Sequence, residues 1–505
     1  MKKLTPVFII SVTLAVLFIL WGAIAPQNLE VVSGTAQDFL QEHFGWFYLI
    51  SASVILLFTI YLSFSKYGNI KLGKDDDEPE YSTFSWFAML FSAGMGIGLV
   101  FWGVAEPVSH FYAPPMGDAQ SAEAAETALR FAFFHWGLHP WGIYALIALA
   151  LAYFKFRKNA PGTISAIFQP LLGEGINGPI GKTIDVIAVF ATVFGVATSL
   201  GLGAIQINGG LTYLNSNIPN GFSTQILIII GVTILFILSA ISGIGKGIKW
   251  LSNANIFLAI LLMFFFLFAG PTTFLLNLFT TTLGNYVEFL PKMSFRLSPF
   301  NEGGSNWIKD WTIFYWAWWI AWSPFVGTFI ARVSKGRTIR EFVIGVLAVP
   351  TTFCALWFAI FGGTGIHIEM FQNGGIWSAM EQGNYTEIAL FSTLDQLPFS
   401  MVASALSIIL ISIFFITSAD SATFVLGMQT TNGMLNPPLK IKLTWGLIQS
   451  SAAAVLLWSG GLNALQTASI VSAFPFVFIL LCIMFSLHKG LKEEGMPVTR
   501  KKNVL

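Results

Sequence analysis

Five tryptophans crowd twelve residues of this chain: Trp311, Trp316, Trp318, Trp319 and Trp322. Tryptophan presents the ring face that attracts a cation most strongly. Trp316, Trp319 and Trp322 recur at helical spacing, so a helix sets them on one face. A second cluster, His135-Trp136-Gly-Leu-His139-Pro140-Trp141-Gly-Ile-Tyr144, puts Trp141 and Tyr144 three apart beside a proline. Pro140 removes a helix hydrogen bond and predicts a kink near Trp136. Three rings around a kink can wall a box, and the chemistry in view is capture of a cation by ring faces. Aromatic filler between packed helices is the competing reading of both clusters.

Two further stretches bear on chemistry. Ser92-Ala-Gly94-Met95-Gly96-Ile97-Gly98 carries glycine at alternate positions, which is poor helix material. No Lys-Ser/Thr follows, so it is not a phosphate loop. It reads either as a close helix contact or as an interrupted helix whose bare backbone can hold an ion or substrate. Phe414-Phe415-Ile-Thr417-Ser418-Ala-Asp420-Ser421 sets an ionisable group and two hydroxyls in an apolar run. Hydroxyls there commonly bond back to their own helix, whereas a carboxylate at membrane depth is a functional candidate. The same hydroxyl reading covers Thr192, Thr198 and Ser199, and Asp185 reads as reaching the membrane interface. His135 and His139 at i, i+4 suggest a metal pair, but no cysteine or nearby acid supplies a third ligand, so no metal site is expected. Cys354 and Cys482 both fall in apolar runs and read as small core residues.

The elements that must position these residues are membrane helices. Of 505 residues 55% are apolar and only 10% charged, with mean hydropathy +0.71; a soluble fold carries about 25% charge. The net charge of +1 gives no reason to expect a nucleic-acid partner. Twelve apolar segments can be marked, at 4–25, 45–64, 84–104, 127–154, 183–211, 224–245, 251–269, 311–333, 340–362, 398–428, 441–459 and 461–488. With an inner N-terminus, nearly all of the 26 basic residues fall in the even-numbered loops and tails, while Lys292, Arg296 and Lys309 lie outside and Arg130 at the outer mouth of the fourth span. The positive-inside rule then makes both termini cytoplasmic. The first apolar run follows Lys2-Lys3 and reads as a retained span rather than a signal peptide, since Gly22-Ala-Ile-Ala-Pro26 lacks a clean cleavage pattern. Asp75-Asp76-Asp77-Glu78 reads as a solvated loop, 270–310 as an amphipathic segment at the interface, and Lys489–Lys502 as a topology signal.

These motifs resemble one family. The tryptophan run continuing into Ser323-Pro-Phe-Val-Gly-Thr-Phe-Ile-Ala-Arg332-Val-Ser-Lys-Gly-Arg337-Thr-Ile-Arg340, the Gly94-Met-Gly-Ile-Gly98 motif, His135-Trp136-Gly-Leu-His-Pro-Trp141 and Thr417-Ser418-Ala-Asp420-Ser are similar to the signatures of the betaine/carnitine/choline transporters. The similarity runs from residue 1 to about 490.

The resemblance implies an all-α polytopic membrane protein of twelve transmembrane helices, with two inverted five-helix repeats (LeuT-like) preceded by two extra helices. The divisions are 1–83 for the two extra helices and their loop, 84–269 for the first repeat, 270–310 for the interfacial segment, 311–488 for the second repeat and 489–505 for a basic tail. It implies a secondary transporter, not an enzyme, importing glycine betaine or a related quaternary ammonium osmolyte by sodium symport and alternating access, as a homotrimer in a bacterial plasma membrane. Trp136, Trp141, Tyr144 and Trp319 would box the trimethylammonium, with Trp316, Trp318 and Trp322 lining the path or steadying the carboxylate and backbone at Met95 closing the site. One sodium would lie among Ser92, Met95, Phe414, Thr417 and Ser418, and a second near Thr192 and Phe325, where Val196 stands in place of an expected hydroxyl. No cofactor is implied beyond the coupling ion. Gly98 resembles the sodium-coupled betaine type, since choline-type relatives tend to carry an acid there. A carnitine or choline carrier of the same family is the alternative. A channel or membrane enzyme is a distant one, because neither symmetric ion rings nor clustered histidines and carboxylates stand out.

Overall fold

Glycine and proline decide where the long apolar runs of this chain break. The computed structural model describes residues 4–494 except Met95, Gly243, Ile244 and Asn384. Among these, nine helices are long and apolar enough to cross a membrane, beginning at Pro6, Pro26, Ala122, Pro179, Phe222, Trp250, Ile339, Ser400 and Leu439. The chain is therefore a multi-pass membrane protein.

Several of the twelve expected runs depart from plain spans. The third is split: one helix covers Thr83–Gly94 and a second covers Ile97–Tyr112, with Gly96 extended between them. This is the interruption that alternate glycines predict. The fourth is broken at Gly137 (φ −96, ψ −131) into helices Ala122–Trp136 and Leu138–Ala152, the kink expected around Pro140. The tryptophan run forms the helix Phe314–Val333 after a π turn at Lys309–Ile313. The last two runs form one element, Leu439–Glu494, bent at Gly460 and Gly461. Gly461 has φ +59, a left-handed conformation that side chains disfavour. The second helix, Pro26–Phe64, starts far ahead of the expected 45; residues 26–44 are polar, so hydropathy alone does not register them although they are helical. The 270–310 segment holds the helix Thr272–Ser294, which buries only Leu275, Thr282, Tyr286, Met293 and Ser294.

The packing is graded from centre to rim. In Leu138–Ala152 every residue after Leu138 is buried, as is everything from Ala191 to Gly210 in Pro179–Leu214. The helices from Phe222 and Trp250 instead expose Leu227, Ile230, Leu238, Phe257 and Phe268. Apolar side chains outside and a tightly packed interior suit a lipid solvent. Small residues let the central helices touch: a Cβ on Gly327 would fall 1.8 Å from Ile147, so Phe314–Val333 rides directly on Leu138–Ala152.

The loops sort to two ends. Lys71 bridges Thr338, Arg340 donates to the Ser63 carbonyl, and Arg157 pairs with Asp75 (2.9 Å) and Glu494 (2.7 Å), which also takes Lys158 (2.6 Å). The acidic run is thus partly pinned rather than simply solvated, since Asp77 also lies 3.8 Å from Lys335. At the other end Gln41 donates to the Lys309 carbonyl, Asn220 to Glu387 and Thr467 to Gln37.

Candidate functional site

Both broken helices deliver their breaks to one place. A cavity of about 40 Å³ is lined by Trp136, Trp141, Tyr144, Trp318, Trp319 and Trp322, with Gly96–Leu99, Pro140, Ser199, Cys354 and Ser418 completing the wall. Five of the rings, all but Trp322, form a continuous set. Trp319 stacks on Trp318 at 4.7 Å and meets Trp136 edge-on at 4.8 Å and Tyr144 at 6.3 Å, while Trp141 meets Tyr144 at 5.4 Å. Of the expected box, Trp136, Trp141, Tyr144 and Trp319 are all here, joined by Trp318 and Trp322. Trp316 is elsewhere: it stacks on His139 at 5.1 Å and is fully buried away from the cavity lining. Both the glycine motif and the tryptophan run use the space. A Cβ on Gly98 would stand 2.6 Å from the Trp318 ring and 3.0 Å from Trp136, so only glycine lets these two indoles close in.

Three of the rings are fixed through their N–H groups. The break at Gly137 ends the helix after Trp136, leaving the last carbonyls of that helix without helical partners. Trp319 Nε1 donates to one of them, the His135 carbonyl, at 2.9 Å. Trp322 Nε1 donates to the Gly195 carbonyl at 2.6 Å and Trp136 Nε1 to Glu106 Oε2 at 2.9 Å. With these N–H groups bound to protein, the three rings have only carbon surface to offer a ligand. Trp318 differs: its buried N–H has no protein partner among the described residues. In this conformation the cavity has room for about three waters.

Larger cavities flank it. One of about 410 Å³ shares Trp322 and Ser418 with the ring cavity and runs past Phe325, Phe414, Thr417 and Asp420 to Lys155 and Arg332. Another, of about 750 Å³ and lined by Trp102, Trp311, Gln37, Asp310 and Glu387, occupies the opposite end.

The residues proposed for sodium are partly gathered. Phe414, Thr417 and Ser418 line the 410 Å³ cavity, and Ser418 reaches the ring cavity as well. The Thr417 hydroxyl donates back to the Ile413 carbonyl at 2.9 Å and accepts from Asn255 at 3.1 Å. Met95 and the side chain of Ser92 lie outside the described residues. Phe325 lines the 410 Å³ cavity, but Thr192 lines neither; it donates to the Ala188 carbonyl and accepts from Gln429. Asp185, read as reaching the interface, instead accepts from the backbone and hydroxyl of Ser165 at 2.8 and 2.7 Å.

Behind the rings lies a group that hydropathy reading passed over. Glu106, fully buried, accepts from His135 Nδ1 at 2.7 Å and His110 Nε2 at 3.2 Å on one oxygen, and from Trp136 and the Tyr315 hydroxyl (2.6 Å) on the other. The apolar run ends at 104, two residues short of Glu106, but the helix continues to Tyr112, so the helix places Glu106, like Asp420, as an ionisable group within a span. The expectation that no acid approaches the histidine pair is corrected here. Glu106, His110 and His135 offer ligand atoms within 4.8 Å of one another, whereas His139 is directed to Ser294 and Ser53.

Comparison with known proteins places this geometry in context. The sequence profile of the BCCT, betaine/carnitine/choline family transporters matches residues 6–496. The glycine betaine transporter OpuD of Bacillus subtilis is 55% identical over all of this chain and 98% of its own length. A probable glycine betaine transporter of Desulfitobacterium hafniense and an ectoine/hydroxyectoine transporter of Virgibacillus pantothenticus are each 47% identical over 98% of both chains. A profile match across nearly the whole length, with a ring-lined cavity where two helices break, makes this chain a member of the betaine/carnitine/choline transporter family.

Proposed function

We propose that this protein imports glycine betaine across a bacterial plasma membrane by sodium symport and alternating access. The observation that carries the substrate is the ring cavity, where three of the indoles have spent their N–H groups on protein acceptors. A trimethylammonium group offers no hydrogen-bond donors, so aromatic faces are the apt partners for it. At about 1–2 kcal/mol for each desolvated ring, three or four rings supply roughly 3–8 kcal/mol, against about 8 kcal/mol for micromolar binding. The unpaired Trp318 N–H is the donor we assign to the carboxylate end.

The relatives named for glycine betaine transport support the same substrate. The relative named for ectoine offers a second reading. A cyclic amidinium carries N–H donors and needs acceptors, however, and Ser199, Ser418 and the Tyr144 hydroxyl are the few polar side chains at this cavity.

Twelve spans follow if the split third helix and Phe314–Val333 join the nine and the bend at Gly460–Gly461 divides the last. We assign them to two inverted repeats of five helices (LeuT-like) after two extra ones, assembled as a homotrimer. The end gathering Lys71, Arg157, Lys335 and Arg340 is the cytoplasmic one by the positive-inside rule, with both termini there. The 410 Å³ cavity opens towards that end and supports a state facing inward. A sodium ion near Ser92, Met95, Phe414, Thr417 and Ser418 would drive the cycle; one such ion crossing 100 mV releases about 2.3 kcal/mol, and a tenfold gradient adds about 1.4 kcal/mol. Flux of radiolabelled betaine into proteoliposomes tests the reading. Sodium-dependent accumulation is expected, and equal flux without sodium would remove the coupling.

A further inference from the structure

The carboxylate of Glu106 has no place in the transport reading so far, yet it is the most heavily bonded buried charge near the cavity. Four donors converge on it: His135, His110, Trp136 and Tyr315. Their own remaining contacts assign the proton count. His135 Nε2 lies 3.0 Å from the Thr312 hydroxyl, which has a proton to give, so the ring is satisfied as a neutral imidazole. His110 Nδ1 has no protein partner among the described residues, and a proton there would be a buried donor without an acceptor. Both histidines are thus neutral and the cluster keeps one negative charge. Both carboxylate oxygens and both His135 nitrogens thus have protein partners, and His110 Nδ1 is the ring nitrogen of this set left without one.

That charge stands one indole away from the ring cavity, because Trp136 lines the cavity with its ring and bonds Glu106 with its N–H. Tyr315 is a second link: its hydroxyl binds Glu106 while its ring stacks at 5.8 Å on Trp319, which lines the cavity. We propose that Glu106 is a positioning and specificity residue that gives the cage its preference for a positive charge, without touching the ligand. It acts in two ways. Hydrogen bonding to a carboxylate pushes electron density into the indole and strengthens the pull of its face on a cation. The fixed charge itself attracts the ammonium end and repels the carboxylate end, so it orients a zwitterion with its nitrogen towards Trp136. By Coulomb's law, a unit charge acting over roughly 8 Å at an effective dielectric of about 20 would change binding by about tenfold or more.

This inference rests on the quaternary ammonium reading, and its test separates the two. The probes are glycine betaine and 3,3-dimethylbutanoate, the same shape with carbon in place of the charged nitrogen. Binding of each to purified protein is followed by tryptophan fluorescence. Glu106→Gln is expected to weaken betaine at least tenfold while leaving dimethylbutanoate unchanged or tighter, so the preference for the charged ligand falls at least tenfold. Glu106→Asp, which keeps the charge, should hold the preference within about threefold of wild type even if both affinities drop; it stands as an independent test should the glutamine variant fail to accumulate. Equal weakening of both ligands in Glu106→Gln, or loss of the preference in Glu106→Asp, would reduce Glu106 to a packing role and overturn the proposal. Betaine binding by wild type that is abolished by EDTA would also overturn it, by making the cluster a metal centre. Wild type that binds no betaine at all would sink the transport reading itself.

Discussion

Replacing Trp319 with leucine tests the cage most directly. The ring is 6% exposed, stacks on Trp318 at 4.7 Å and meets Trp136 at 4.8 Å. Leucine removes one face, worth about 1–2 kcal/mol to a desolvated cation. It also removes a ring that holds its neighbours, at about 0.5–1.5 kcal/mol for each such pair. A loss of about 2–3 kcal/mol in binding is a weakening of roughly 30–150-fold. The hydrogen bond to the His135 carbonyl goes too, but an unpaired acceptor mainly costs stability, at about 1–3 kcal/mol. Trp319→Phe separates the terms, since it keeps a face and loses only the N–H. Betaine affinity measured on reconstituted protein should therefore fall less than tenfold for phenylalanine and far more for leucine. If the leucine variant bound within threefold of wild type, the face would be irrelevant. If phenylalanine were as damaging as leucine, the anchor on the kinked helix, and not the π surface, would be the contribution of Trp319.

Gly98→Ala should cut uptake about tenfold or more at normal membrane abundance, because its Cβ would sit 2.6 Å from the Trp318 ring and overpacking of this kind costs about 1–3 kcal/mol; unchanged uptake would mean the indoles are free to retreat. Thr417→Ala combined with Ser418→Ala should raise the sodium concentration for half-maximal uptake, and an unaltered sodium dependence would move the ion elsewhere. Glu494→Gln removes partners from Arg157 and Lys158 at the basic end of the bundle. These groups are partly exposed, so about 1 kcal/mol is at stake; melting should fall by about 1–2 °C in low salt, with the difference gone near 1 M salt.

Local chemistry written along the chain determined a good deal here. Alternating glycines at 94–98 disfavour a continuous helix, and of the two readings they allow the interrupted helix is the one found, ending at Gly94 and restarting at Ile97. Pro140 announces the second break, which the helices make at Gly137, and unbroken apolar runs announce the membrane. Such signals are legible because backbone propensity and solvent transfer act over a few residues. Which rings share a cavity was legible only through the family resemblance and not from spacing, because it depends on how two breaks distant in sequence face one another. Trp316 and Trp319 share a helix face by spacing, yet one stacks on His139 and the other walls the cavity. Glu106 became meaningful only when the fold carried His110, His135, Trp136 and Tyr315 to it from two other helices and one turn of its own. A buried charge is tolerable only with its donors in place. Only His110 is local, one helical turn away; the other three donors come from 29 to 209 residues away, so tertiary packing decided the site.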